Sequence, residues 1–193
     1  MELLKVIEIR WHGRGGQGAK TASLFFAEIM LATGKYIQAF PEYGPERMGA
    51  PMKSYNRLSE NPITLHTNVI NPDYVVVLDP TLIEVVNLTN GLNKTGKIII
   101  NTSFDSEYIA KKINFNKKHV YVIDASKIAI KNIGKNIPNT TMLGALIKVM
   151  NILDINEALN NIETKLNIKF RTKTHLISGN LDSIKQAFYE VKN

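Results

Sequence analysis

His12-Gly13-Arg14-Gly15-Gly16-Gln17-Gly18 sets four glycines within six residues, directly behind an alternating apolar run of Val6, Ile7, Ile9 and Trp11. A helix-forming stretch, Ala19 to Leu31, follows at once. Strand, glycine loop and helix in that order aim backbone N–H groups and the positive end of a helix at one point, a geometry that receives anions. Gly13, Arg14, Gly15, Gly16, Gln17, Gly18 and Lys20 are therefore candidate residues for binding a phosphate, pyrophosphate or carboxylate. Valine at Gly15 or Gly16 is expected to damage the loop wherever φ is positive.

Gly13, Gly15 and Gly18 satisfy the spacing G-x-G-x-x-G, which alone is a weak signal. A dinucleotide site also wants a βαβ continuation and an acidic residue about 20 positions on. A second strand, Tyr36 to Phe40, arrives on time and Glu42 lies just beyond it, but no second crossover helix follows. Pro41-Glu42-Tyr43-Gly44-Pro45-Glu46-Arg47-Met48-Gly49-Ala50-Pro51 carries three prolines and two glycines, which exclude a regular helix. The loop also falls short of a nucleotide-triphosphate motif, because Ala19 stands between Gly18 and Lys20. One residue turns a helical side chain by roughly 100°. The strand Tyr74 to Leu78, ending at Asp79, then reads as an ordinary buried parallel strand followed by a loop carboxylate.

Working outward, 193 residues suffice for one domain, 1–193, with a real core. A hydrophobic content of 44% and a charged content of 21% place the chain among globular proteins. No apolar run approaches the roughly 20 residues of a membrane span, and no membrane partner is expected. Met1 to Lys5 lead into a strand without the apolar stretch of a signal peptide, so the expected location is cytoplasmic. The net charge of +7 is spread along the chain rather than gathered in a basic arm, so nucleic acid is not the expected partner. Two mild basic groupings stand out, Arg10, Arg14 and Lys20 at the loop and Arg47, Lys53 and Arg57 beyond it, either solvated or facing a polyanion. With no cysteine, disulfides, thiol catalysis and cysteine-held iron–sulfur clusters are excluded. The four histidines lack metal-ligand spacing, so no metal site is expected.

Apolar runs at 5–11, 36–40, 51–58, 74–78, 97–101 and 119–123 read as strands. Helices are expected over 17–33, from Pro80 to about Val86, and over 104–112, 125–133, 141–151, 155–166 and 181–191. The alternation predicts a three-layer α/β/α fold with a mostly parallel, mixed central sheet and a glycine-rich first strand–helix loop. The strand at 51–58 follows its predecessor without a helix and should be antiparallel to it or lie on a sheet edge. In such folds ligands sit at the carboxyl ends of strands, here 12–18, 41–49, 79–81, 101–103 and 124–126.

Three segments together are more specific than any glycine pattern. They are Arg10-Trp11-His12-Gly13-Arg14-Gly15-Gly16-Gln17-Gly18-Ala19-Lys20, Gly34 through Arg47, and Gly49-Ala50-Pro51-Met52. They resemble the gamma subunit of the 2-oxoacid:ferredoxin oxidoreductases, the pyruvate enzyme among them. Pro72 to Leu82 and Ile137 to Ala145 extend the likeness to roughly residues 7–150, with Thr141 where the family pattern has proline. The resemblance implies a complex of alpha, beta, gamma and delta subunits that converts pyruvate and coenzyme A to acetyl-CoA and CO2 while reducing ferredoxin. It places thiamine diphosphate between alpha and beta and the iron–sulfur clusters in beta and delta. This chain has neither cysteine nor a thiamine diphosphate signature, so it is expected to hold no cofactor alone, to supply no catalytic residue, to be inactive in isolation and to meet ferredoxin only indirectly.

The same resemblance implies that the subunit helps position coenzyme A and packs on the thiamine-bearing subunits. The glycine loop with Arg14, Gln17 and Lys20, and Arg47 as a bidentate grip, suit the phosphates of coenzyme A. Phe40, Tyr43 and Met48 are the expected interface anchors, or the contact with a second copy in a homodimer of the isolated chain. A 2-oxoglutarate, branched-chain or indolepyruvate enzyme is the alternative within the class, and a stand-alone dinucleotide-binding module the alternative outside it.

Overall fold

A computed structural model of the protein describes residues 6–42, 48–169 and 174–193. Its centre is a six-stranded sheet of β1 (Ile7–Arg14), β2 (Tyr36–Pro41), β3 (Pro51–Ser59), β4 (Tyr74–Val77), β5 (Lys97–Asn101) and β6 (Val120–Ile123), in the order β2-β3-β1-β4-β5-β6. β1, β4, β5 and β6 are parallel, and β3 runs antiparallel to both β1 and β2. The mixed, mostly parallel α/β architecture expected from the sequence is the one observed.

The strand sequences follow from what covers each face. Val75-Val76-Val77 and Ile98-Ile99-Ile100 are continuous apolar runs because both sides are buried. Val76 and Ile99 join one core, with residues of α1 (Ala19–Leu31), α3 (Ala125–Ile133), α4 (Asn139–Met150), α5 (Ile155–Lys169) and α6 (Thr174–Glu190). Val75, Val77, Ile98 and Ile100 join a smaller one, with Leu82 of a 3-10 turn (Pro80–Glu84) and Ile109 of α2 (Ser106–Lys112). β1 instead alternates. Ile9 and Trp11 enter the large core, while Glu8, Arg10, His12 and Arg14 take the opposite face, where loops rather than a helix lie over the β1–β3–β2 half.

Several expectations need correction. β1 runs on to Arg14, so Gly13 is a strand residue opposite Met52, not a loop residue. Of the two placements expected for β3, antiparallel to its predecessor or at a sheet edge, the first is observed, and β2 holds the edge. Because β3 separates β2 from β1, the second strand never lies beside the first, and the βαβ unit of a dinucleotide fold is absent. The helix expected from Pro80 is only the 3-10 turn, initiated by Asp79, whose side chain accepts from the Thr81 N–H. α6 begins at Thr174 rather than 181. Gly179 and Asn180 read locally as breakers, but a Cβ at 179 would come 2.3 Å from the Asn132 carbonyl, and Asn180 Nδ2 donates to Leu176 O at 2.6 Å. Close packing, not helix propensity, selects both.

α4 also starts earlier than expected, at Asn139. Thr141, in its first turn, is fully buried with Oγ1 lacking a hydrogen-bond partner among the described residues. Thr141→Val keeps the shape and removes the orphan hydroxyl. It is expected to raise stability by about 1 kcal/mol, read as a higher denaturant midpoint. A lower midpoint would show that the hydroxyl is satisfied.

Candidate functional site

The carboxyl ends of β1 and β4 are neighbours, and the glycine loop lies where they meet. Chain direction reverses here: from β1 the path goes to β2 and β3 on one side, then returns to β4 on the other. Such a switch point opens a crevice at the strand ends.

The loop is narrower than the sequence suggests. Gly15 N donates to Ala50 O at 2.9 Å and Gly49 N to Gly15 O at 3.1 Å, which clamps the loop to the Gly49-Ala50 segment. Gln17 N donates to Arg14 O at 3.0 Å, and Arg14 N to Gln17 Oε1 at 2.8 Å. The amides of Gly13 to Gln17 are thus not a free row. Those of Gly16, Gly18, Ala19, Lys20 and Thr21 have no acceptor among the described residues, so the open donors sit at the start of α1. Positive φ occurs at Gly16 (94°) and Gly18 (84°) rather than at Gly15. A Cβ on Gly16 would meet open space, whereas one on Gly18 would lie 2.5 Å from Asn139 Nδ2. Gly18 is therefore doubly constrained.

Arg14 and Gln17 are held by a carboxylate that sequence reading treated as an ordinary loop residue. Asp79 Oδ2 accepts from Gln17 Nε2 at 2.5 Å and lies 3.2 Å from Arg14 Nε. Asp79 Oδ1 accepts from Thr81 N at 2.9 Å and Thr81 Oγ1 at 2.7 Å. Arg14 Nη2 donates to Thr81 Oγ1 at 2.8 Å and Nη1 to Gly49 O at 3.0 Å. Burial pulls the Asp79 carboxyl upward, but the bonds from Thr81 and Gln17 and the Arg14 charge outweigh it and hold it below its ordinary value. The only sequence signal was Asp79-Pro80-Thr81, a helix-start pattern. Lys20 is exposed at the first turn of α1 and has no ion pair among the described residues. Arg47 and Tyr43 lie outside the described residues. Met48 is 96% exposed, whereas Phe40 packs on Tyr55 with ring centroids 5.4 Å apart, beneath the Arg57 guanidinium.

Beneath the loop, Arg10 and His12 are buried on the helix-free side of β1. Arg10 Nε donates to His12 Nε2 at 2.9 Å, and Arg10 Nη2 to the carbonyls of Leu88 and Asn90. Burial, reinforced by Arg10 and Lys53, pushes the imidazole down to about 3. His12 is thus a neutral acceptor that orients Arg10 rather than an acid or base at neutral pH.

A cleft of about 610 Å3 lies elsewhere, at the ends of β5 and β6 between Thr102, Asp105, Asp124, Lys127 and Glu190. Asp105 and Asp124 are already committed to capping α2 and α3. The unpaired donors favour the loop, and for an anionic ligand the donors decide. Among the described residues no cluster of three or more His, Cys, Asp or Glu could hold a metal ion, and no helix is long and apolar enough to cross a membrane.

Residues 8–190 match the family model for pyruvate ferredoxin/flavodoxin oxidoreductase. The chain is 45% identical over 188 residues to pyruvate synthase subunit PorC of Thermotoga maritima, covering 97% of this chain and 96% of that one. It is 43% identical over 165 residues to the pyruvate/ketoisovalerate oxidoreductases common subunit gamma of Pyrococcus abyssi, covering 86% and 87%. The crystal structure of pyruvate oxidoreductase subunit PORC from Thermotoga maritima superposes with a TM-score of 0.83 at 43% identity, covering 97% and 98%.

Proposed function

The chain belongs to the pyruvate ferredoxin/flavodoxin oxidoreductase family, and on that premise we propose that it is the non-catalytic gamma subunit of a pyruvate:ferredoxin oxidoreductase, presenting the start of α1 to the phosphates of coenzyme A. The observation that carries the subunit reading is likeness over nearly the full length of both chains to a pyruvate synthase subunit. In this reading decarboxylation and electron transfer belong to the alpha, beta and delta subunits, which hold thiamine diphosphate and the iron–sulfur clusters. The exposed Met48 and the segment around it contact a thiamine-bearing subunit. One Pyrococcus abyssi relative is named as common to pyruvate and ketoisovalerate enzymes, which favours leaving 2-oxoacid choice to the other subunits.

Coenzyme A is the reactant richest in phosphate, and unpaired amides at a helix start, flanked by Lys20 and Arg14, suit such groups. Arg14 is countered by Asp79 in the free chain, so a phosphate competes with that carboxylate for the guanidinium. Two effects then add in Arg14→Ala: a charged hydrogen bond to the ligand is lost, and Asp79 is left facing an anion. The apparent coenzyme A constant of the reconstituted complex is expected to weaken by roughly 10- to 100-fold, at about 1.4 kcal/mol per decade. Formation of the pyruvate–thiamine adduct should be unchanged. The Arg14→Ala, Asp79→Asn pair separates the effects, since full recovery would mean that Arg14 only masks Asp79. An unaltered constant on an intact, size-verified complex removes Arg14 from the site.

A further inference from the structure

The start of α4 lies against the start of α1. Asn139, its first residue, is close enough to Gly18 that a Cβ there would sit 2.5 Å from Asn139 Nδ2 and 3.2 Å from Cγ. Both helices begin at the carboxyl edge of the sheet and run toward the opposite edge. α1 follows β1 and leads to the start of β2, while the far end of α4 receives Lys97 Nζ, from the first residue of β5, on Val149 O at 3.0 Å. Two nearly parallel helices therefore bring their positive ends together.

Neither end carries a neutralising side chain from its own helix. Gly18 and Pro138 provide no side-chain cap, and neither first turn holds an acidic residue. α2, α3 and α5 are each capped by an aspartate, Asp105, Asp124 and Asp154. A second, independent observation lies between the two open ends. Asn139 is only 9% exposed, and its Oδ1 accepts from Thr140 N at 2.7 Å. An N–H donor can bind only the oxygen side of the amide, so the orientation is fixed and the NH2 group faces Gly18. That Nδ2 has no acceptor among the described residues. An amide whose residue is nine-tenths buried, with an NH2 group that has no acceptor among the described residues, is set between two uncapped helix starts, where an anion would supply the acceptor.

We infer that the start of α4 is the second wall of the phosphate site at the start of α1, with the Asn139 amide as a direct donor to a phosphate or pyrophosphate oxygen. This rests on the reading of the α1 start as the seat of the coenzyme A phosphates and adds a residue 121 positions beyond Gly18 in the numbering. Asn139 selects for an anion because its fixed NH2 group can only donate, and a carboxylate at this place would repel the ligand.

The test uses the full chain, isotopically labelled and titrated with inorganic pyrophosphate and then with coenzyme A. The Gly16, Gly18 and Thr140 amides and the Asn139 NH2 are expected to shift together and saturate together. Asn139→Asp keeps an oxygen for Thr140 N–H but places a carboxylate between the helix starts. It should raise the melting temperature of the free chain, abolish the pyrophosphate shifts and weaken the apparent coenzyme A constant of the complex by about 10- to 100-fold. The wild-type titration needs no variant, so a misfolded mutant would not stall the test. Shifts at Gly16 and Gly18 with an unmoved Asn139 NH2 would overturn this inference and leave the α1 reading standing. Joint shifts with pyrophosphate, but coenzyme A constants untouched by both Asn139→Asp and Arg14→Ala, would keep the anion site and remove coenzyme A from it. No shift with either ligand and an unaltered constant would overturn both.

Discussion

Lowering the pH from 7 to 4 is expected to destabilise the protein by about 3 kcal/mol more than it destabilises a His12→Gln variant. In the folded chain the imidazole is pushed down to about 3, first by burial and then by the Arg10 and Lys53 charges. In the unfolded chain it titrates near its ordinary 6.5. Below that value the unfolded state takes up a proton that the folded state refuses. Stability therefore falls as pH drops from about 6.5 toward about 3 and levels off beneath. Glutamine retains an oxygen to accept the Arg10 Nε–H, so Arg10 keeps its orientation while the titration disappears. Carboxylates elsewhere titrate in both proteins and cancel in the comparison. Urea unfolding at pH 7, 5.5 and 4 measures the difference. Parallel pH profiles for the two proteins would show that the folded chain protonates His12 without cost.

The second large effect concerns the helix pair that carries Asn139 to the glycine loop. A Cβ on Gly144 of α4 would fall 2.0 Å from the Ile184 carbonyl oxygen and 2.8 Å from its carbon, both backbone atoms of α6. No rotamer change relieves a clash with backbone, so Gly144→Ala must push α6 away from α4. Alanine is the better helix former by about 1 kcal/mol, and that gain is set against an overpacking cost of 1–3 kcal/mol or more. With a backbone contact this short, we expect a net loss of about 3 kcal/mol. Thr140 Oγ1 donates to Asn180 Oδ1 of α6 at 2.6 Å, so the shift would also disturb the first turn of α4. A lowered thermal midpoint together with a weaker response to pyrophosphate is the expected pair of readings. A Gly144→Ala protein as stable as the parent would show that the two helices can separate freely.

The local chemistry of the chain determined much by itself. Continuous Val and Ile runs marked β4 and β5 because strands buried on both faces need apolar residues at every position. The alternation along β1 marked a strand with one apolar side. Asp124 and Asp154 stand directly before helices expected from the sequence and cap them, since a short acceptor before a helix satisfies its first amides. The crowded glycines after β1 located the strand-to-helix turn, and the flanking segments carried the family likeness. All of these are properties of a dozen or so consecutive residues, and such properties survive in any fold that keeps the segment.

What the tertiary structure alone decided are the partnerships between distant segments. Whether Gly13 is a loop or strand residue depends on Met52 lying opposite it, and nothing in the glycine pattern supplies that neighbour. The insertion of β3 between β1 and β2 removes the dinucleotide topology, although the first forty residues permit it. Gln17 reaches Asp79 across 62 residues of sequence, and that contact braces the loop and sets a counter-ion beside Arg14 that the glycine pattern does not announce. Asn139 meets Gly18 only because α4 packs along α1, with its position set by the contact between Gly144 and Ile184. Spacing along a chain fixes which residues share a strand face or a helix turn. It does not fix which donors find acceptors in another segment, because that depends on strand register and helix approach distance. Those are settled when the whole core closes, and with them which amides at the start of α1 stay open for a ligand.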